Sequence, residues 1–148
     1  ISPDHPYFSF KNDMLIGRNG ILNFALGTIV HAVIPDSVTS IGGGAFYGCT
    51  ALAEVSFPAI VEIGEKAFYN CSAIKSITFP ATLKTLNSEC FGGCISLISI
   101  KAMGAVPAKC DGSVFDPRST YKCALSVPEG KVQAYRAAAG WKGIYNIK

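Results

Sequence analysis

Apolar residues recur along the middle of the chain at an interval of 22 or 23 residues. Three segments superimpose: VTSIGGGAFYGCTALAEVSFP, VEIGEKAFYNCSAIKSITFP and LKTLNSECFGGCISLISIKA. Five columns keep the interval, namely Ile41/Ile63/Leu86, Phe46/Phe68/Phe91, Cys49/Cys71/Cys94, Leu52/Ile74/Leu97 and Val55/Ile77/Ile100. Because one interval governs five columns, the chain contains an internal repeat of about one supersecondary unit.

Each repeat contains a short segment in which apolar and polar residues alternate. In the first repeat, Val55 and Phe57 would face one way and Glu54 and Ser56 the other, which is the pattern of a half-buried strand. Pro58 follows and should end the strand, because proline has no N–H to donate to a neighbouring strand.

The segment 44–49 precedes the strand and is too short and too rich in glycine for a long helix. It predicts a single α-helical or 3₁₀ turn that directs Phe46 into the core. One such unit cannot bury its own apolar face, whereas stacked units can. We therefore expect the strands to form a parallel sheet along one side of a solenoid.

The repeat unit V-x-x-I-G-x-x-A-F-x-x-C-x-x-L-x-x-I-x-F-P resembles the BspA-like leucine-rich repeat of bacterial surface proteins. Residues 33–102 carry three regular copies, the third of which departs from the pattern at Asn87, Cys90 and Ala102. The resemblance implies an α/β repeat solenoid: a right-handed leucine-rich-repeat coil with a parallel sheet on one face, an N-terminal hairpin cap and a C-terminal cap with a short helix.

The N-terminal segment, residues 1–32, resembles a terminal segment of that family. It holds two apolar strands on either side of Gly17-Arg18-Asn19-Gly20. The dipeptide Asn-Gly is the commonest signal for a tight hairpin turn. Residues 1–148 are thus predicted to form a single domain.

The C-terminal segment, residues 103–148, resembles the C-terminal cap of the same family. A helix there would place Val132, Tyr135 and Ala139 on one face and would end at Gly140. Such a helix would cover apolar surface that the open end of a solenoid exposes.

Cys110 and Cys123 lie in this predicted cap, outside the repeat. A disulfide between them would close a short loop around Phe115 and stabilise it by roughly 3 kcal/mol on the loop-entropy model. It would require an oxidising compartment, as expected for an exported protein. The alternative is two nearby free thiols; we predict the bond.

Composition narrows the class of protein. The 148 residues are 49% hydrophobic and 16% charged, which excludes a disordered tail, and the net charge of +3 is too small to indicate nucleic acid as the partner. The charge is uneven, because residues 1–100 hold 5 basic and 7 acidic side chains and residues 101–148 hold 8 and 3. The richest apolar stretch, residues 21–34, is far shorter than the ~20 apolar residues that span a bilayer, so we expect no membrane insertion.

The cysteines and histidines do not form a recognisable reactive site. Cys49, Cys71 and Cys94 follow the repeat interval and are expected to pack as small apolar side chains rather than to bind zinc, which needs clustered ligands. Only His5 and His31 could act as imidazole bases, and neither is placed beside a thiol by any motif. We therefore predict no catalytic residue, no cofactor and no metal site.

A row of solvent-facing strand positions is the remaining candidate site. The repeat alignment gives two rows, which we call the exposed strip: His31, Glu54, Ser76 and Ser99 in one, and Val33, Ser56, Thr78 and Lys101 in the other. His31 and Glu54 are one repeat apart and should be neighbours across adjacent strands. The strip is either a partner-binding surface or simply a solvated face.

The family resemblance implies a non-catalytic binding module of an exported or surface-attached bacterial protein, located outside the cell or at its surface. Adhesion to a host protein, a bacterial protein or a matrix component would then be its role. We expect an export signal to have preceded Ile1 in the precursor. The alternative is a structural spacer that displays another domain and binds nothing itself. The oligomeric state is left open.

Overall fold

The apolar columns of the repeat become stacked layers of side chains in the core. In a computed structural model, which describes Ser2 and residues 4–148, Phe46, Phe68 and Phe91 are fully buried. Their rings stack face to face with centroid distances of 4.7 and 5.1 Å. Leu52, Ile74 and Leu97 are buried in the same way. Each repeat therefore forms the wall against which the next one packs, as predicted.

The chain consists mainly of short strands. The strands are β1 Phe8–Lys11, β2 Met14–Gly17, β3 Ile21–Ala25, β4 His31–Val33, β5 Ser40–Ile41, β6 Glu54–Ser56, β7 Glu62–Ile63, β8 Ser76–Phe79, β9 Thr85–Leu86, β10 Ser99–Ala102, β11 Ala124–Ser126 and β12 Asn146–Ile147. The helices are α1 Pro117–Thr120 and α2 Val132–Ala137, followed by a 3₁₀ turn at Trp141–Gly143.

Each repeat contributes strands to two parallel sheets, where the sequence predicted one. On the predicted face, β4 pairs with β6, and β8, β10, β11 and β12 form a four-stranded sheet. The two-residue strands β5, β7 and β9 form a second parallel sheet that continues from β3. Sequence alternation cannot reveal strands of two residues, because two positions do not establish a period.

The sheet on the predicted face is interrupted between β6 and β8. No backbone hydrogen bond joins these two strands, although each is paired on its other side. Val55 in β6 is half-buried, whereas the equivalent Ile77 in β8 is buried. Strand β6 is therefore displaced outward from the core.

The interruption coincides with the one repeat interval that is a residue shorter than the others. The N–H of Ile60 donates to the carbonyl of Pro58, two residues earlier, whereas that of Leu83 donates to the carbonyl of Pro80, three residues earlier. We attribute the gap to this tighter turn, because it shortens the return from β6 and prevents the strand from lying along β8.

The segment predicted as a helical turn is instead a series of β-turns. The residues two before and two after each buried phenylalanine have positive φ: Gly44, Lys66 and Glu89 on one side, Gly48, Asn70 and Gly93 on the other. A left-handed residue every fourth position cannot continue a helix. The turns of adjacent repeats are joined by backbone hydrogen bonds, such as that from Phe46 N–H to the carbonyl of Ala67 at 2.7 Å.

The N-terminal residues form an antiparallel meander that leads into the repeats. Strands β2 and β3 pair as the predicted hairpin, and β1 adds to β2 through a second turn at Asn12 and Asp13, whose φ angles are 52° and 62°. Strand β3 pairs antiparallel with β2 and parallel with β5. It is thus the point at which the meander joins the stacked repeats.

The stacking continues beyond residue 102. The ring of Phe115 stacks on that of Phe91 at 6.0 Å, and β11 pairs with β10. Helix α2 buries Tyr135 as predicted but ends at Ala137, so Ala139 lies outside the helix and is exposed. The signal for this further unit is Leu125-Ser126-Val127-Pro128, which matches the strand and proline of the earlier repeats.

Candidate functional site

The structure places all eight residues of the exposed strip on strand positions that face solvent. His31 is opposite Glu54, Val33 opposite Ser56, Ser76 opposite Ser99 and Thr78 opposite Lys101. Each of these side chains is exposed, and the residues between them are buried except Val55. The predicted alternation therefore holds, but the two rows are divided by the gap between β6 and β8.

The gap forms a shallow groove of about 280 Å³ in the middle of the strip. Its lining consists of His31, Ala32, Val33, Glu54, Val55, Ser56, Ser76 and Thr78. The groove offers hydroxyl groups, one carboxylate and one imidazole beside the partly exposed side chain of Val55. The repeat interval of 22 residues between Val55 and Ile77 is the sequence signal that could have indicated it.

His31 and Glu54 are in direct contact, as their spacing predicted. His31 Nδ1 donates to Glu54 Oε2 at 3.1 Å, and the two side chains remain 64% and 77% exposed. An ion pair this exposed contributes little to folding, because water and salt screen it. Its two charges remain available to a ligand.

Lys101 lies on the other side of the groove, in β10. In the register of the four-stranded sheet it stands between Thr78 and Ser126, and both of these residues are exposed. The strip thus carries an acidic residue in β6 and a basic residue in β10, with small polar side chains between them.

The cysteine column is structural in its geometry. The thiol of Cys71 donates to the carbonyl of Phe46 at 3.1 Å, and that of Cys94 to the carbonyl of Phe68 at 3.2 Å. Each thiol thus contacts the phenylalanine of the preceding repeat. Burial raises the pKa of Cys94 to about 12, so the reactive thiolate is scarce at neutral pH.

The predicted disulfide is not formed in this structure. Cys110 and Cys123 are both free thiols. The sulfur of Cys110 lies 3.2 Å from the carbonyl of Ala139, beside the turn that follows α2, whereas Cys123 is buried at the start of β11. The two cysteines are directed at different neighbours, which the sequence interval alone could not show.

Within the described residues, no group of three or more histidine, cysteine, aspartate or glutamate side chains is arranged to hold a metal ion. No helix among these same residues has the length and apolar character needed to cross a membrane.

The arrangement of stacked repeats can now be compared with known proteins. A family model for the BspA type leucine rich repeat region (6 copies) matches residues 23–116, more than half of the chain. The chain belongs to the BspA type leucine-rich repeat family. The match extends beyond residues 33–102 on both sides, in keeping with the pairing of β3 with β5 and the stacking of Phe115 on Phe91.

Two solved structures share this leucine-rich repeat fold. A leucine rich cell surface protein from Faecalibacterium prausnitzii A2-165 is 21% identical with a TM-score of 0.55, and the similarity covers 98% of this chain and 40% of that one. A leucine-rich repeat protein from Bacteroides ovatus ATCC 8483 is 22% identical with a TM-score of 0.55, covering 97% and 40%. The chain therefore spans less than half the length of these two proteins. No curated protein shows significant similarity to it.

Proposed function

We propose that this leucine-rich repeat chain is a non-catalytic protein-binding module of an exported or surface-attached bacterial protein, and that the exposed strip faces the partner. The partner would be a host protein, a bacterial protein or a matrix component. The observation that carries the proposal is the groove between β6 and β8, which interrupts an otherwise regular sheet within the strip.

The interruption leaves bonding capacity at the strip that a continuous sheet would use internally. Backbone N–H and C=O groups on the facing edges of β6 and β8 are not bonded to one another. Backbone groups seek partners, and a bound protein segment can supply them at a sheet edge. The half-buried Val55 adds an apolar contact beside these groups.

Location and cap roles belong to the same proposal. A surface or extracellular position is supported by the family and by the cell surface protein from Faecalibacterium prausnitzii that shares the fold. We further propose a right-handed coil whose ends are closed by residues 1–32 and 103–148. The meander β1–β3 and the buried Tyr135 of α2 support these cap roles.

The test is a comparison of partner capture by the parent and by two charge-reversed proteins. Extracts of host matrix, mucosa and bacterial surface are passed over immobilised parent, Glu54→Lys and Lys101→Glu proteins. A partner that is retained by the parent and reduced in both variants would support the proposal. Its affinity for each protein would then be measured by calorimetry.

The matched controls reverse the same charges away from the strip. Glu129→Lys and Lys142→Glu both alter exposed residues outside it and should leave capture unchanged. Equal capture by all five proteins would move the interface off the strip. Capture of nothing by the parent would favour the spacer.

A further inference from the structure

A second, larger groove lies away from the exposed strip. It has a volume of about 800 Å³, which is within the range of sites that bind ligands. Its two sides are the segments 81–85 and 103–109. The lining residues are Ala81, Thr82, Leu83, Lys84, Thr85, Met103, Ala105, Val106, Pro107 and Lys109. None of them belongs to the strip.

The groove exposes apolar side chains on one wall. Val106 is 77% exposed and Met103 is 46% exposed, and Ala105 and Pro107 complete the same segment. Exposed apolar side chains grouped along a groove are typical of a surface that another molecule covers.

This wall is held in place by buried side chains of the C-terminal segment. The hydroxyl group of Tyr135 donates to the carbonyl of Gly104 at 2.8 Å, and the indole N–H of Trp141 donates to the carbonyl of Ala108 at 2.8 Å. Both aromatic residues are buried. Because the segment is fixed at both ends, the groove is formed before any ligand arrives, which lowers the entropy lost on binding.

The charge of the groove is wholly positive. Lys84 and Lys109 are its only charged lining residues, and neither forms an ion pair with an acidic side chain of the described chain. Their backbones are adjacent, since the N–H of Lys109 donates to the carbonyl of Lys84 at 2.8 Å. Two uncompensated ammonium groups beside apolar surface favour a ligand that combines carboxylates with apolar groups.

The position of the groove favours an extended polypeptide. It lies at the edge of the six-stranded sheet, where β9 is the last strand and the only further pairing in the described chain is a bridge from Thr85 to Lys109. Sheet edges bind extended segments through their backbones, with side chains entering alternate pockets.

We propose that this groove docks an extended segment of a partner protein in which acidic residues stand beside large apolar ones. The apolar side chains would cover Val106 and Met103, and the carboxylates would pair with Lys84 and Lys109. The site is separate from the exposed strip and does not depend on its role.

Selection from a random octapeptide library on the immobilised chain tests the proposal. Selected peptides should be enriched in Asp or Glu next to Leu, Val or Phe. The Lys84→Glu/Lys109→Glu protein should bind them about tenfold or more weakly, because two attractions become repulsions. The Lys11→Glu/Lys75→Glu protein carries the same change of net charge outside the groove and should bind them like the parent.

The two methionines of the chain locate the bound peptide. Met103 lies in the groove and Met14 is fully buried in β2. With ¹³C-methyl-methionine labelling, a selected peptide should shift the Met103 signal and leave that of Met14 in place. The Glu54→Lys protein should give the same shift, which separates this site from the strip.

Three results would overturn the proposal. Selected peptides without acidic enrichment would remove the role of the lysines. Binding that leaves the Met103 signal unmoved would place the peptide elsewhere. A Met103 shift with decanoate, in the absence of any selected peptide, would assign the groove to an amphiphile instead of a polypeptide.

Discussion

His31 and Glu54, 23 residues apart in the chain, contact each other at 3.1 Å across the β4–β6 pair. Because both side chains are mostly exposed, we expect the pair to add no more than about 1 kcal/mol to the free energy of unfolding. A double-mutant cycle with His31→Gln and Glu54→Gln, measured by urea denaturation, gives the coupling energy. A coupling well above 1 kcal/mol would show that the pair stabilises the fold and would weaken its use as a probe of binding.

Replacing Phe68 by alanine should destabilise the protein by about 3–5 kcal/mol. Phe68 stacks between Phe46 and Phe91 and is fully buried, so its loss opens a cavity shared by three repeats. Phe24→Ala is the control, since the ring of Phe24 is 49% exposed. Denaturation of the three proteins should rank Phe68→Ala far below the other two. Equal losses in the two variants would contradict the stacked core.

The unfolding free energy should depend on Asp116 at low pH. Its carboxylate accepts bonds from the Arg118 guanidinium and from the backbone N–H groups of Arg118 and Gly93. Chiefly through the Arg118 side chain, these bonds lower the pKa of Asp116 to about 2. The stability they provide is therefore complete above the unfolded pKa of about 4 and is lost as the pH falls towards 2.

Asp116→Asn should accordingly cost about 1–2 kcal/mol at pH 7 and should flatten the fall in stability between about pH 4 and pH 2. Asp36→Asn is the matched control, because Asp36 is exposed, and it should keep the parent's profile. If the Asp116→Asn profile ran parallel to that of the parent, the ionised carboxylate would not be the stabilising group.

All six cysteines should carry a label after alkylation of denatured, unreduced protein, because the structure holds six free thiols. In the native protein the same reaction should be slow, since burial raises the pKa of Cys94 to about 12 and that of Cys123 to about 11. Mass spectrometry counts the labels. Protein made in an oxidising compartment is the informative sample: four labels there, rising to six after reduction, would show that a disulfide forms.

The sequence alone determined the repeat, its buried columns and the outward-facing row that joins His31 to Glu54. These features depend on contacts between equivalent positions of adjacent repeats, and a fixed interval places such positions opposite each other. The pairing of β4 with β6 and the stacking of Phe68 between its neighbours follow from that rule.

The tertiary structure alone decided where the regular stacking is broken or closed. A turn one residue shorter after Pro58 opens the gap between β6 and β8, and the bonds from Tyr135 and Trp141 hold the wall of the second groove. It also decided that Cys110 faces Ala139 rather than Cys123. Each of these outcomes depends on loop geometry or on contacts between segments that share no period, so hydrophobic periodicity carries no information about them.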